Sequence, residues 1–294
     1  MFKLLYILIN LFGLLLLAPI LDGLERSIKA KLQNRRGPSL LQTWYDLIKL
    51  FKKNPGSTGT PRFLMRYSIY LSFTTLLIAC IIMPSIIPYS YSFIGDIIVL
   101  VYLLISSKIF LILGSISSGN PYSLVGSSRE VSLSMLAELI FAEIISVFAI
   151  TNNSLLIEEL FPAKIFKPSL ICSLILLFFI GYVESTRLPF ELGEAEPELS
   201  GGIILEYTGL DLAFAYYSVL IRRIIYSTIL INIIIPGNVF IHPILYLGCL
   251  FLLTIIYSSI EASFGRLRID SALSILNKAV LIGGGIVVAA VLGL

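Results

Sequence analysis

Eight long apolar runs dominate this 294-residue sequence and leave few folds open to it. A helix needs about 20 predominantly apolar residues to cross a bilayer, and only helices and closed barrels satisfy their backbone hydrogen bonds there. The chain is 57% hydrophobic and only 13% charged, whereas a soluble domain carries roughly 25% charged residues. We predict an all-α polytopic membrane protein with about eight transmembrane helices, forming a single integral membrane domain over residues 1–294. The runs cover residues 2–21, 68–87, 93–116, 131–150, 169–183, 207–235, 241–260 and 272–293.

Positive charge is unevenly shared between the two sets of alternating loops. Fourteen of the 21 lysines and arginines fall in loops on one predicted side, ten of them in residues 22–66, and three fall on the other side. Loops rich in lysine and arginine remain in the cytoplasm. We therefore expect a multi-pass protein of the cell membrane with both termini outside. The loops at residues 22–66 and 184–206 are then cytoplasmic.

The first of these loops contains an amphipathic segment, "LLQTWYDLIKLF", at residues 40–51. Its apolar residues recur at helical spacing on one face, and the segment is too short to span. An interfacial helix lying in the headgroup region fits this pattern. A helix packed on other protein gives the same pattern. The apolar positions are Leu40, Leu41, Trp44, Leu47, Ile48 and Phe51.

A basic turn precedes this helix. Arg35 and Arg36 stand directly before Gly37–Pro38, a turn signal, and Arg26 lies upstream in the same loop. These cations suit docking of a partner at the cytoplasmic face. They suit lipid phosphates equally well, and charge alone does not separate the two roles.

Several ionisable residues fall inside the predicted spans. Such residues are costly in a bilayer, roughly 2.5–3.5 kcal/mol each, and are functional candidates by default. Glu138 and Glu143 lie in the fourth span, and Lys108 lies in the third. Carboxylates here can hold or pass protons, but an acid that simply pairs with Lys108 or Arg222 is an equally physical interpretation.

The loop at residues 184–206 is densely acidic. It contains six of the 18 acidic residues of the chain. Glu184 and Arg187 stand three positions apart, so we expect them to pair on one helical face. So dense a cluster resists full ionisation, which is typical of the mouth of a proton path but also of a docking site for a basic partner. The six are Glu184, Glu191, Glu194, Glu196, Glu198 and Glu206.

The sequence predicts no cofactor in this chain. Cys80, Cys172 and Cys249 are far apart, whereas iron–sulfur clusters and structural zinc need closely spaced thiolates. His242 is the single histidine, and a lone histidine makes a poor metal or haem site. We expect no metal ligands and no catalytic residue of its own for electron chemistry.

Three stretches carry a family resemblance. The stretch "ESTRLPFELGEAEPEL", followed by "LEYTG", resembles the pattern E-x-x-R-x-P-F-[DE]-x-x-E-x-E-x-E…E-Y-[ST]-G of the chain 1 family of respiratory complex I. "ERSIKAKLQNRRGPSLLQTWYDLIKLFKK" matches as well, as does "REVSLSMLAE", where Glu138 takes the place of an intramembrane glutamate. The family also includes a membrane subunit of energy-converting, archaeal-type membrane-bound NiFe hydrogenases and related sulfur-reducing complexes. The compact turn before "SLLQ" is most similar to that branch.

The resemblance implies a membrane anchor and coupling subunit of an ion-translocating oxidoreductase, not catalytic alone. Its implied partners are a hydrogenase-like large subunit, an iron–sulfur small subunit, a ferredoxin-like subunit, antiporter-like membrane subunits and membrane lipids, with no nucleic acid. The NiFe centre and iron–sulfur clusters belong to those partners. The implied proton or ion path contains Glu138, Glu143, Glu184, Arg187, Glu191, Glu194, Glu196, Glu198 and Glu206. A quinone-binding subunit of complex I is the alternative, and a stand-alone secondary transporter is an alternative of another class.

Overall fold

Eight long helices in the described part of the chain cross the molecule alternately up and down. The computed structural model describes residues 2–54, 63–88, 95–160, 167–194, 196–235 and 241–293, without the side chains of residues 2–4, 196 and 197. Within these residues the structure is all helix and turn, as predicted. The helices are α1 (Phe2–Leu32), α2 (Gln42–Phe51), α3 (Phe63–Ile82), α4 (Asp96–Ile116), α5 (Pro121–Asn152), α6 (Ile157–Leu160), α7 (Pro168–Glu184), α8 (Glu196–Leu199), α9 (Gly209–Ile234), α10 (His242–Ser263) and α11 (Ile269–Val291).

Seven helices in the described part of the chain are long and apolar enough to span a membrane. The eighth, α7, has 17 residues and reaches about 25 Å at 1.5 Å per residue, a little less than the hydrocarbon core of about 30 Å. All eight predicted runs therefore correspond to helices. The polytopic fold is confirmed.

The connecting segments gather at two opposite ends. At the loop end, defined here by residues 33–54, 117–120, 185–208 and 264–268, the Leu267 amide donates to the Pro189 carbonyl at 3.1 Å. At the other, terminal end, the Asn10 amide group donates to the Ile87 carbonyl at 3.0 Å. The start of α1 and the end of α11 lie towards the terminal end, and the acidic loop lies at the loop end. An even number of crossings requires this arrangement.

Helix α9 is the axis of the bundle. Of its apolar stretch 89% is buried within the protein, against 22% for α11 and 33% for α1 and α10. It packs against α1, α2, α3, α7 and α10. A helix that is apolar all round belongs in a core, whereas the outer helices keep apolar faces exposed for lipid. Because α9 is enclosed, its arginines at 222 and 223 must find partners inside the protein.

Two helices extend well beyond the apolar runs. Helix α1 continues to Leu32, so Arg26 lies within a helix and not in a loop beginning at residue 22. Helix α5 begins at Pro121, ten residues before the predicted span. The Asn120 side chain caps it by accepting from the Tyr122 amide at 2.9 Å, a favoured pairing of cap residue and first-turn proline. Counting apolar residues missed these ends because their charged side chains pair inside the protein.

The amphipathic helix α2 is confirmed, over residues 42–51. Its apolar face is divided between two environments. Leu47 is fully buried and Trp44 meets the ring of Tyr217 edge-on at 6.4 Å, both towards α9, whereas Ile48 is 44% and Tyr45 58% exposed. The helix therefore packs on protein along one stripe and presents a second apolar stripe outward.

This division predicts unequal effects for two adjacent residues. Leu47→Ala should destabilise the protein by about 2–5 kcal/mol, because it leaves a cavity at a buried site. Ile48→Ala, the matched control, should change stability by less than about 0.5 kcal/mol. The thermal midpoint of the purified protein in detergent measures both. Equal midpoints for the two variants would contradict the packing of α2.

Candidate functional site

A buried lysine joins three helices near the loop end. The Lys108 side chain of α4 is 4% exposed. Its Nζ lies 2.9 Å from Oε1 of Glu130 on α5 and 3.1 Å from Oε2 of Glu184 on α7. We call this group, with Glu138 of α5 and Arg222 of α9, the Lys108 network. An ammonium so deeply buried needs this compensation, since an unpaired buried charge costs several kcal/mol.

The other members of the network lie deeper along the helices. The Arg222 guanidinium is buried; its Nη2 donates to Oγ of Ser107 at 3.2 Å, and its Nε has no hydrogen-bond partner in the described part of the chain. Glu138 lies two turns beyond Glu130 on α5 and interacts electrostatically with Glu184, Lys108 and Arg222. The network thus extends from the loop end into the bundle along α5.

The charges of the Lys108 network do not balance. Three carboxyl groups, those of Glu130, Glu138 and Glu184, face two cations, so full ionisation leaves one negative charge in a low-dielectric site. One bound proton makes the group neutral. Full ionisation would therefore leave the network with one uncompensated negative charge, which is strongly disfavoured inside a protein.

A small cavity connects this network to the acidic loop. It has a volume of about 10 Å³, room for about one water molecule. Gly193 closes one side, and a β-carbon added there would lie 2.7 Å from Oε2 of Glu130. Glycine therefore allows the loop backbone to approach this carboxylate. The polar lining residues are Lys108, Glu130, Thr186, Glu191, Glu194 and Arg222.

The acids of the loop have different partners. Glu191 lies 3.4 Å from Nη2 of Arg266, and burial raises its pKa although Arg266 opposes the shift. Glu198 is exposed and pairs with Arg129 at 2.7 Å, which lowers its pKa. Glu206 accepts from the Asn120 amide group at 2.6 Å, and Glu194 lines the cavity. Glu196 begins α8, but its side chain lies outside the described part of the structure.

The predicted pairing of Glu184 with Arg187 is wrong. Helix α7 ends at Glu184, and Thr186 takes a left-handed conformation with φ of 48°. This reversal turns the two side chains away from one helical face. Glu184 binds Lys108, whereas Arg187 binds Glu25 of α1, with Nε 2.7 Å from Oε1 and Nη2 2.9 Å from Oε2.

A second ionic group surrounds Arg187. We call it the Arg187 cluster. Arg223 of α9 lies 3.2 Å from Asp22 and 3.9 Å from Glu25, and its Nε donates at 2.8 Å to the carbonyl of Ser185. Four basic and four acidic side chains take part, so this cluster is neutral when fully ionised. It fixes the end of α7 to α1 and α9 and needs no proton. Its members are Asp22, Glu25, Arg26, Lys29, Asp46, Arg187, Arg223 and Glu261.

The three basic residues predicted to form one docking or lipid-facing turn separate in the structure. Arg26 lies on α1 with its Nε 2.9 Å from Asp22. Its guanidinium also donates a hydrogen bond to the hydroxyl of Tyr216. It belongs to the Arg187 cluster. Arg35 and Arg36 are exposed at the loop end, and for these two the docking or lipid-facing role stays a prediction.

Glu143 does not join either group. It lies on α5 with its carboxyl group against Gly283 of α11, on a different side of the helix from Glu130. The structure therefore separates it from the remaining predicted path residues.

Sequence reasoning did not single out Glu130, Glu25 or Asp22. Each lies at an edge of an apolar run, where a charged residue marks a predicted boundary. The cap pair Asn120–Pro121 was a signal that α5 starts earlier and that Glu130 lies inside a helix. Within the described residues, no three histidine, cysteine or acidic side chains are placed to hold a metal ion.

Residues 4–292 match the family model described as NADH dehydrogenase. Hydrogenase-4 component C of Escherichia coli (strain K12) is 30% identical over 230 residues, which cover 76% of this chain and 72% of that protein. Formate hydrogenlyase subunit 4 of the same strain is 27% identical over 281 residues, 90% of this chain and 92% of that protein.

More distant relatives share the length and the fold. NADH-ubiquinone oxidoreductase chain 1 of Hipposideros diadema is 29% identical over 290 residues, 92% of this chain and 90% of that protein. A chain of the membrane-bound sulfane sulfur reductase, described as an archaeal respiratory membrane complex, superposes with a TM-score of 0.89 at 21% identity. That match covers 99% of this chain and 100% of that chain, and it shows that the two share a fold.

The Arg187 cluster predicts a non-additive effect on stability. Arg187→Met should destabilise the protein by about 3–5 kcal/mol, because it removes the close partner of the buried Glu25 carboxylate and leaves only the longer contact with Arg223. The double variant Glu25→Leu/Arg187→Met should recover part of this loss. Arg129→Met, which breaks the exposed pair with Glu198, should cost about 1 kcal/mol or less. Thermal unfolding of the purified variants tests this, and additive losses in the double variant would contradict a pair.

Proposed function

The chain belongs to the NADH dehydrogenase family, and on that premise we propose that it is the membrane anchor and coupling subunit of an ion-translocating respiratory oxidoreductase. It links a peripheral hydrogenase-like iron–sulfur arm to proton or sodium transport. The names of its relatives, hydrogenase-4 component C and formate hydrogenlyase subunit 4, support the hydrogenase-type branch.

The Lys108 network carries this proposal. It is a buried group with one carboxylate in excess, in contact with the acidic loop through a cavity that admits about one water. A purely structural anchor has no need of an unbalanced charge inside the bundle. The Arg187 cluster, which joins helices with balanced charge, is an example of a structural ionic group in the same chain. The excess carboxylate is the feature that ion transport requires.

The geometry suggests the order in which the residues act. Glu130 meets the loop backbone at Gly193 and is the first network carboxylate that a proton from the cavity reaches. Lys108, held between Glu130 and Glu184, moves towards whichever carboxylate stays ionised. Glu138 then receives the proton deeper along α5. A charge change in the arm above the loop shifts this equilibrium, because charge interactions are stronger in a low dielectric than in water.

The loop end is the proposed docking face for the arm. It carries exposed Arg35 and Arg36 and the exposed part of the acidic loop. The excess of lysine and arginine on this side supports a cytoplasmic loop end in a protein of the cell membrane, with both termini outside.

A cysteine placed at Ser39 tests this orientation. Its labelling from outside intact cells by an impermeant reagent would contradict a cytoplasmic loop end.

The proposed partners follow from the family. They are a hydrogenase-like large subunit, an iron–sulfur small subunit, a ferredoxin-like subunit and antiporter-like membrane subunits, with the NiFe centre and the iron–sulfur clusters in the first three. This chain contributes binding, orientation and proton movement, and the redox chemistry belongs to the arm.

Quinone binding is the second candidate function. The 29% identity to NADH-ubiquinone oxidoreductase chain 1 over most of both chains supports it. An inhibitor of quinone sites discriminates the two, because it should stop electron transfer by a quinone-reducing complex and leave a hydrogenase-type complex unaffected.

Glutamine variants of the network test the coupling role. The complex is purified through a tag on this chain, and its nickel and iron are measured before redox turnover and ion uptake are followed in vesicles. Glu130→Gln, Glu184→Gln and Glu138→Gln should leave the metals in place and abolish uptake, since a positioned proton carrier contributes about 10²–10⁴-fold. Glu196→Gln, in the acidic loop, should act likewise.

Glu159→Gln at the terminal end is the matched control, because Glu159 is an exposed glutamate of α6. It should pump as the unaltered protein does. Normal ion uptake in all the network variants would refute the coupling role. A tagged chain that purifies without any iron–sulfur protein would refute the anchor role itself.

A further inference from the structure

Glu143 is an intramembrane carboxyl group that belongs to neither the Lys108 network nor the Arg187 cluster. It lies on α5, 13 residues or about 20 Å along the helix axis from Glu130. Its Oε2 is buried and has no hydrogen-bond partner among the described residues. The carboxyl group rests in the seam between α5 and α11, two helices that pack closely against each other.

Glycine makes room for this carboxyl group on α11. A β-carbon added at Gly283 would collide with Oε2 of Glu143 and lie 3.2 Å from its carboxyl carbon, whereas one at Gly284 would lie 3.8 Å from Oε1. A β-carbon at Gly285 would have nothing within 4 Å. Gly283 is buried, Gly284 is partly buried and Gly285 is exposed. Gly283 therefore makes room for the carboxyl group inside the seam, and the partly buried Gly284 lies beside Oε1 at the edge of the seam, whereas Gly285 lies on another side of α11.

No described cation faces Glu143. The charged residue of α11 nearest to Gly283 is Lys278, which is exposed and five positions away, about 140° around the helix. On α5 the nearest is Glu138, also five positions and about 140° away. On α7 the charged residue is Glu184, which is bound to Lys108. Among the described residues, Glu143 therefore has no ion-pair partner.

We propose that Glu143 is a protonated carboxyl group that opens sideways to the membrane beside Gly284 of α11, as a proton-exchange and carbodiimide-reactive site separate from the Lys108 network. An ionised carboxylate without a cation is costly at membrane depth, so the neutral acid is the form that fits this seam. The lack of a side chain at Gly284 gives an apolar molecule in the bilayer a way to reach this acid. The inference does not rest on the proposed function, because its test needs no turnover.

One reaction with a lipophilic carbodiimide tests both the protonation of Glu143 and its accessibility from the bilayer. The carboxyl proton moves to one carbodiimide nitrogen while the carboxyl oxygen bonds to the central carbon, giving an O-acylisourea. The acyl group then migrates from that oxygen to nitrogen and leaves a stable N-acylurea. Every atom of both reactants is retained, and no oxidant or reductant takes part. Only a protonated carboxyl group that the reagent reaches from the bilayer forms this adduct.

The experiment compares two reagents on the complex in native membranes. Dicyclohexylcarbodiimide, which partitions into the bilayer, should add the mass of one reagent to the fragment containing Glu143, as read by mass spectrometry. A water-soluble cationic carbodiimide should not label Glu143, and it should label exposed acids such as Glu198 at the loop end. Absence of the lipophilic adduct at Glu143, or equal labelling by both reagents, would overturn the proposal.

Three variants test the route by which the lipophilic carbodiimide reaches Glu143. Glu143→Gln should lose the adduct. Gly284→Leu should strongly reduce it, because a side chain at this position covers Oε1, whereas Gly285→Leu points away and should label as the unaltered protein does. Unchanged labelling of Gly284→Leu would overturn the lateral opening. If that variant does not fold, the two-reagent comparison, which uses the unaltered chain, still decides.

Discussion

A single buried ammonium, that of Lys108, sets the arrangement of the loop end. In a bundle surrounded by lipid this charge must be compensated within the protein, and the carboxylates available are Glu130 on α5 and Glu184 at the last residue of α7. Bringing both to one point fixes where α7 stops and how closely the acidic loop approaches α5. The cavity beside Glu130 is a result of that approach, and the glycine at 193 permits it.

The chain builds two ionic groups side by side and gives them different charge. The Arg187 cluster matches four cations with four anions and connects α1, α9 and the turn after α7. The Lys108 network leaves one carboxylate over and faces the cavity. Balanced charge suits an anchor that stays the same during turnover, and unbalanced charge suits a group that gains and loses a proton. The proposed division between anchoring and coupling rests on this difference in the counts of charge.

The sequence was sufficient for the helices and insufficient for their partners. Hydropathy found the seven helices that are long and apolar enough to span a membrane and the shorter apolar helix α7, because lipid demands long apolar runs, and the spacing of Leu47 and its neighbours found α2. It missed the early start of α5, and with it the place of Glu130, because charged residues that pair inside the bundle resemble the ends of spans. Local spacing also paired Glu184 with Arg187, whereas a left-handed Thr186 separates them and contacts 76 and 162 residues away in sequence take over. Such long-range pairing is set by packing, which one sequence without its fold does not reveal.

The central claim is that the Lys108 network holds one proton that redox turnover moves. Infrared difference spectroscopy of the assembled complex, reduced minus oxidised, measures this directly through the carbonyl stretch of a protonated carboxyl group. The account predicts a carboxyl band that changes between the two states and disappears from the difference spectrum in Glu130→Gln or Glu138→Gln. A spectrum without a carboxyl change, or one that all the network variants leave unaltered, would contradict it.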